Sequence, residues 1–321
     1  MMSARQQDTG RMDQEFADSD SPPCMHGELL IGQSLSQYTS WRVGGNADRI
    51  FRPRDIKGLI GFIRGLPESE PLYWLGMGSN LLIRDQGIRG TVINTRGGLS
   101  AIRLEGPHSV YVEAGVLCPH LARFCSERGL FGAEFFAGIP GTLGGALAMN
   151  AGAFGGDTWS LVEQVLTVNR SGKCQVRHRN LFEVGYRSVI GPHDEYFVAA
   201  RLNLRAGDQR ESRTRIKGLL AKRLASQPLN LPSCGSVFRN PPNDYAARLI
   251  EASGLKGYRI GGAGVSEKHA NFMVNHDRAR AADIEALIEY VRAEVERKQG
   301  VILTPEVRIV GEARPRSEPI R

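Results

Sequence analysis

From Phe135 to Gly156 the chain carries no charged side chain, yet Gly138, Gly141, Gly144, Gly145, Gly152, Gly155, Gly156 and Pro140 interrupt it throughout. A bilayer-spanning helix needs about 20 predominantly apolar residues whose backbone groups are satisfied within the segment. So many breaks exclude that reading. Two others survive: small residues at this density let a flat or bulky ligand lie against the backbone, and they equally let a glycine-rich helix pack closely on a sheet.

A second glycine-bearing element, Leu75-Gly76-Met77-Gly78-Ser79-Asn80-Leu81-Leu82, directly follows the apolar run Leu72 to Leu75. A turn of this composition lets backbone N–H groups approach a phosphate. It is not the Rossmann fingerprint, because Leu81 stands where the third glycine belongs, and no G-x-x-x-x-G-K-[ST] occurs in the chain. An ordinary β-turn remains an equal reading. The two elements lie far apart in sequence, as expected if one extended dinucleotide is gripped at two places.

Around them the periodicity predicts an α+β fold. Short β-like runs at Arg49-Ile50-Phe51, Leu72 to Leu75, Thr91-Val92-Ile93 and Val110-Tyr111-Val112 surround a helix over Asp55 to Arg64. A helix follows at Pro119 to Arg128, then a hairpin, Val162 to Val168 and Cys174 to Arg177, about Arg170-Ser171-Gly172, and a strand from Tyr196 to Leu204. The charged stretch Gln209 to Arg223 reads as a solvated helix. Beyond it, Ile284, Leu287, Ile288, Val291 and Val295 form the stripe of a core-facing helix over Asp283 to Lys298, closed by Gly300, and Pro305 to Val310 reads as a last strand.

The formal charge of +7 suits phosphates on small ligands. Lys and Arg alternate with Asp and Glu, and no stripe of aromatic and basic residues appears, so neither nucleic acid nor membrane insertion is expected. Cys24, Cys118, Cys125, Cys174 and Cys234 are odd in number, without a C-x-x-C pair, which favours a reducing compartment and no metal site. Residues 1–26 lack the apolar core of a signal peptide and read, like residues 312–321, as a tail, so a cytoplasmic protein is expected.

Several motifs occur in one order: Trp41-Arg42-Val43-Gly44-Gly45-Asn46-Ala47, the Gly76 to Leu82 turn, Gly138-Ile139-Pro140-Gly141-Thr142 with Asn150-Ala151-Gly152, Gly185-Tyr186-Arg187-Ser188, Gly235-Ser236-Val237-Phe238-Arg239-Asn240-Pro241 and Pro305-Glu306-Val307. In this the chain resembles the UDP-N-acetylenolpyruvoylglucosamine reductases, also called UDP-N-acetylmuramate dehydrogenases, from about Tyr38 to Val310. The resemblance implies a two-lobed FAD-binding domain of the vanillyl-alcohol-oxidase (PCMH) type over residues 27–207, with lobes at about 38–115 and 116–207. It also implies an α+β substrate-binding domain over 208–311. It implies FAD, NADPH as reductant and UDP-N-acetylglucosamine enolpyruvate as substrate, reduced to UDP-N-acetylmuramate for peptidoglycan synthesis. The two glycine-rich elements and the lack of a tethering residue in the first lobe lead us to expect the FAD to be non-covalent, and a monomer is expected. By position the catalytic arginine falls on Arg187, the serine proton donor on Ser236 and the acidic partner on Glu306, while Asn240 matches a substrate-binding asparagine. The candidate FAD contacts are Gly76, Gly78, Ser79 and Asn80 in the first element and Gly138, Gly141, Thr142, Gly145, Asn150 and Gly152 in the second.

Val189-Ile190-Gly191-Pro192 replaces an aromatic common after the arginine in that family, and Arg239 replaces a common lysine. The stretch between Arg187 and Ser236 looks too short for a substrate-capping loop, which points to the shorter subclass. The chemistry is self-consistent. Hydride delivered to an enol ether conjugated to a carboxylate pushes charge into that carboxylate, so the site needs a flavin, a fixed cation and an acid. An FAD-linked alcohol oxidase on the same fold is the main alternative. Its usual tether to His or Cys is excluded between Gly27 and Pro107, where the chain has neither. A hydrolase built on Cys234 lacks a motif supplying a histidine base, and a non-catalytic nucleotide-binding module would not need Arg187, Ser236 and Glu306 together.

Overall fold

The computed structural model describes residues 26–313. The expected tails lie outside this range apart from His26, Glu312 and Ala313, and Glu312 is held in place by its N–H, which donates to Gly87 O at 3.0 Å. Contacts divide the chain into two compact units, neither of them one continuous stretch. The first takes residues through Leu29, Phe51–Gly76 and Ile93–Leu220; the second takes Leu30–Ile50, Met77–Val92 and the chain from Ala221. The sequence segmentation expects contiguous lobes instead, since periodicity cannot see that residues 30–50 and 77–92 pack with the C-terminal part.

In the first unit, five antiparallel strands lie in the order Cys174–His178, Val162–Asn169, Glu195–Asn203, Ser109–Glu113, Ile102–Leu104. The predicted hairpin is there, turning through Gly172 at φ 72°. Helix α1 (Ile56–Arg64) begins where Asp55 accepts the Gly58 N–H at 2.7 Å, and Leu59, Ile60, Phe62 and Ile63 are buried along one side of it. These residues pack with Leu166, Val168 and Val198. Helix α2 (Cys118–Ser126) carries Pro119 in its first turn, where a missing N–H costs nothing. Helix α3 (Leu143–Ala148) is the α-helical part of the glycine-rich run and buries Leu143, Ala146 and Leu147 in the core shared with α2 and Trp159.

Helix α4 (Gln209–Ser226) has one buried residue, Ser212, as its charge pattern predicts. In the second unit, the strands Ser233–Ser236, Phe272–Asn275, Ala263–Val265 and Arg259–Ile260 form an antiparallel sheet. Helices α5 (Ala246–Ala252) and α6 (Ala281–Gln299) share its core. All five stripe residues of α6 are fully buried, and Gly300 ends the helix at φ 68°. Trp41 is also fully buried there, its Nε1 donating to Met273 O at 2.8 Å, so the first shared motif is structural in this chain.

The last strand is shorter than predicted. It spans only Arg308–Val310, paired in parallel with Leu81–Ile83. Its expected start pairs elsewhere: Pro305 forms an isolated antiparallel bridge with Phe238, Glu306 N donates to Val237 O at 2.7 Å, and Val307 N turns onto the same carbonyl at 3.4 Å.

Candidate active site

Arg187 sits at the tip of a small hairpin, with strands Glu183–Gly185 and Ser188–Ile190 in register Gly185 to Ser188. Tyr186 and Arg187 form the two-residue turn, and Arg187 adopts φ 55°. Its guanidinium donates to Asn150 O at 3.4 Å and Gly152 O at 3.0 Å and lies 5.5 Å from the centre of the Tyr186 ring. The first unit thus brings together three of the expected site residues, Arg187, Asn150 and Gly152. Asn150 is not simply presented to a ligand: its Nδ2 donates to Gly185 O at 3.2 Å and its Oδ1 accepts the Trp159 N–H at 3.0 Å.

A second cluster in this unit joins Gly76, Thr142 and Gly145. Thr142 is 1% exposed, and its Oγ1 has no hydrogen-bond partner among the described residues. A Cβ on Gly76 would collide with that hydroxyl, and a Cβ on Gly145 would reach it at 3.9 Å. A buried hydroxyl without a partner is costly unless a ligand completes it. The cluster therefore fits the polar contacts and close backbone approach that a flavin dinucleotide requires.

Other glycines of the run serve packing. A Cβ on Gly138 would strike the Phe154 ring, one on Gly144 would lie 2.9 Å from the Ala114 methyl, and one on Gly152 would meet Gly156 O. Gly141 accepts the Cys118 N–H at 2.9 Å. Close packing thus accounts for Gly138, Gly144 and Gly152, whereas Thr142 and Gly145 are free of that role.

In the second unit Ser236 ends the strand Ser233–Ser236, which slips register against Phe272–Asn275 between Ser233 and Ser236. Gly235 makes the slip at φ 81°, a conformation that an L side chain rarely adopts. Ser236 is half-buried, and the carbonyl of the next residue, Val237, accepts from Glu306 N. Ser236 and Glu306 are thereby brought together through the backbone. Asn80 joins the same cluster, since its Nδ2 donates to Glu306 O at 3.1 Å. Gly78, at φ 61°, lies where a Cβ would strike Tyr38 O; Ser79 is half-buried beside it. Asn240 is exposed, and its Oδ1 accepts the Ala246 N–H at 3.1 Å at the start of α5.

Two residues that the motifs did not single out support this cluster. Asn271, 3% exposed, accepts from Phe238 N at 3.0 Å and donates to Phe238 O at 2.8 Å, which clamps the chain beyond Ser236. His269 meets the ring of Phe272, the strand partner of Ser236, edge-on at 4.7 Å, and burial lowers its pKa from 6.5. An asparagine within the apolar run Ala270 to Val274 is the signal that could have found Asn271, because buried amides need partners. Cys234 is 5% exposed, and its thiol is pushed well above its usual range, first by burial and then by the Glu306 charge. A thiol of that kind is no nucleophile.

Residues 227–310 match the C-terminal domain of UDP-N-acetylenolpyruvoylglucosamine reductase, and residues 47–176 match an FAD binding domain. The reductase of that name from Methylococcus capsulatus is 62% identical over 287 residues, covering 89% of this chain and 94% of its own. The one from Alkalilimnicola ehrlichii is 61% identical, with 89% and 96% covered. The crystal structure of UDP-N-acetylenolpyruvylglucosamine reductase from Thermus caldophilus superposes with a TM-score of 0.77 at 32% identity, covering 89% of this chain and 99% of that one.

Proposed function

This chain belongs to the UDP-N-acetylenolpyruvoylglucosamine reductase family, and on that premise we propose the roles its own residues play in the reaction. It is an FAD-containing oxidoreductase that uses NADPH to reduce the enolpyruvyl group of UDP-N-acetylglucosamine enolpyruvate, giving UDP-N-acetylmuramate for peptidoglycan synthesis. The family match leaves no ground for an alcohol oxidase.

Bound FAD supplies the hydride relay from NADPH to the terminal carbon of the enolpyruvyl group. Arg187 receives the substrate carboxylate in its guanidinium fork and stabilises the negative charge that develops there as hydride arrives. Ser236 gives its hydroxyl proton to the neighbouring carbon, which completes the reduction by adding one hydride and one proton across the double bond. A serine is a weak acid, so the alkoxide left behind needs cationic support. Glu306, when protonated, donates a hydrogen bond that orients the carboxylate. Asn240 aids substrate binding in the domain 208–311, FAD is held in 27–207, and Gly76, Thr142 and Gly145 contact the dinucleotide.

The guanidinium of Arg187, held by Asn150 O and Gly152 O at the tip of its hairpin, carries this reading, because it presents a fixed cation to a carboxylate. The described cysteines, Cys118, Cys125, Cys174 and Cys234, are free thiols, which supports a cytoplasmic enzyme, and we take it to act as a monomer. No described helix is long and apolar enough to cross a membrane. The test is the visible spectrum of the purified protein under anaerobic conditions. NADPH should bleach the flavin band and the enolpyruvyl nucleotide should restore it. Bleaching without restoration would overturn the substrate assignment.

A further inference from the structure

We infer that Asn150 is a positioning residue for Arg187, fixing the turn that carries the guanidinium before substrate arrives. The inference rests on the reading of Arg187 as the carboxylate ligand.

The hairpin around Arg187 needs an anchor. Its strands are three residues each, and a two-stranded hairpin of that size is marginal alone. Tight hairpin turns favour glycine or asparagine at positive φ, whereas here the left-handed residue is an arginine. An arginine stays in that conformation only where its surroundings over-determine it.

Asn150 provides the constraint from both ends. Its Nδ2 holds Gly185 O on one side of the turn, and its own carbonyl accepts from Arg187 Nη1, while Gly152 O accepts from Nη2. The result is a closed ring of contacts around the turn. Asn150 is fixed in its turn: it is 8% exposed, and its Oδ1 accepts the N–H of Trp159, a fully buried residue whose Nε1 donates to Leu147 O at 2.8 Å. The Trp159 backbone N–H fixes the Asn150 amide, the amide fixes Gly185 O, and the Asn150 carbonyl takes the guanidinium, so a flexible side chain becomes a preorganised one. The residue type is specific. Position 150 has φ 45°, which asparagine tolerates, and it needs a donor and an acceptor on one short side chain.

The test compares Asn150→Asp, Asn150→Gly, Arg187→Ala and the double variant Asn150→Asp/Arg187→Ala as holoenzymes. Aspartate keeps the acceptor for Trp159 and loses the donor to Gly185; glycine keeps the backbone conformation and loses both bonds. Anaerobic stopped-flow should show reoxidation of the reduced flavin by saturating enolpyruvyl nucleotide slowed about 10²-fold in both single Asn150 variants, the cost of a small misplacement. Flavin reduction by NADPH and flavin content after gel filtration should stay within about twofold of wild type, far inside that 10²-fold effect. In the Arg187→Ala background, Asn150→Asp should slow reoxidation no further. Loss of flavin, or equal slowing of both half-reactions, would make Asn150 a cofactor contact or a general structural residue and overturn the inference. Additive losses in the double variant would do the same. Near-normal turnover of Arg187→Ala would instead remove the reading of Arg187 itself, and the inference with it.

Discussion

Asn80 and Glu306, 226 positions apart, are joined by a hydrogen bond from the Asn80 amide to the Glu306 carbonyl at 3.1 Å. The Asn80 carbonyl also accepts the Arg308 N–H at 3.1 Å. A residue expected from its turn to face a phosphate thus holds the backbone of the acidic residue. Glu306 N is tied to Val237 O, so Asn80 sets one side of a short path from the glycine turn to Ser236.

Asn80→Asp should therefore disturb this cluster more than flavin binding. It replaces a donor facing the Glu306 carbonyl by an acceptor, and a part-buried carbonyl left facing an oxygen costs about 1–3 kcal/mol. Urea unfolding should register a loss of that size. Retained flavin with a slowed substrate half-reaction is the expected pattern; loss of flavin with an unchanged urea midpoint would return Asn80 to the dinucleotide.

Much of this was legible in the sequence. The stripe Ile284, Leu287, Ile288, Val291, Val295 foretold α6, and Arg170-Ser171-Gly172 foretold its hairpin, because helix periodicity and turn chemistry are local. The pairing of Leu81–Ile83 with Arg308–Val310 was not legible, since nothing local in either run names its partner. That pairing is what places residues 77–92 with the C-terminal part. The asparagines 80 and 150 sit among glycines, in the two elements read as the grip on a dinucleotide. Their amide groups also donate to Glu306 O and Gly185 O, contacts across long stretches of chain that no spacing rule reveals.

Thr142→Val should separate cofactor binding from folding. The valine methyl replaces a hydroxyl that has no partner among the described residues, so apoprotein stability should change by less than about 1 kcal/mol or rise slightly. FAD affinity should fall about tenfold, corresponding to about 1.4 kcal/mol. Gly76→Ala should weaken FAD further, because its Cβ collides with Thr142. Fluorescence titration of apoprotein with FAD reads both. In wild type, acid precipitation should release all the flavin, and colour retained in the pellet would show a covalent link.

Glu195 should contribute acid-sensitive stability. Its carboxylate accepts from Arg177 Nε at 3.0 Å and from Thr167 Oγ1 at 2.7 Å, and is 9% exposed. Arg177 first, and Thr167 with it, holds its pKa below the usual 4.5. A pKa depressed on folding stabilises the protein above 4.5 and loses that contribution as pH falls through the lower folded value. Glu195→Gln should lose about 1.5–3 kcal/mol at pH 7 and show a shallower decline in acid. Parallel stability curves for variant and wild type from pH 7 down to about pH 3, covering the carboxylate range, would rule this out.

Arg187→Lys keeps the charge but replaces a planar fork by a point charge, and lysine cannot hold two carbonyls while meeting a carboxylate bidentately. Turnover should fall at least 10²-fold, about 2.7 kcal/mol of barrier. Steady-state NADPH oxidation measures it, and near-normal turnover would move Arg187 out of the site.

Ser236→Ala should separate the two half-reactions, because the proposed proton transfer follows departure of hydride from the flavin. The strand slip at Gly235 and the Val237–Glu306 contact involve backbone alone, so the alanine variant should fold with the site otherwise intact. NADPH should reduce its flavin at nearly the wild-type rate. Reoxidation by the enolpyruvyl nucleotide should slow by roughly 10²–10⁴-fold, the range for loss of a positioned general acid, or about 3 to 5 kcal/mol of barrier. Substrate affinity should change much less, since Arg187 and the nucleotide contacts remain. Ser236→Cys should recover part of the rate, because a thiol of similar size can also donate a proton. Anaerobic stopped-flow on each half-reaction is the measurement. Slowing confined to the NADPH step, or no slowing with the nucleotide, would show that the proton comes from another group.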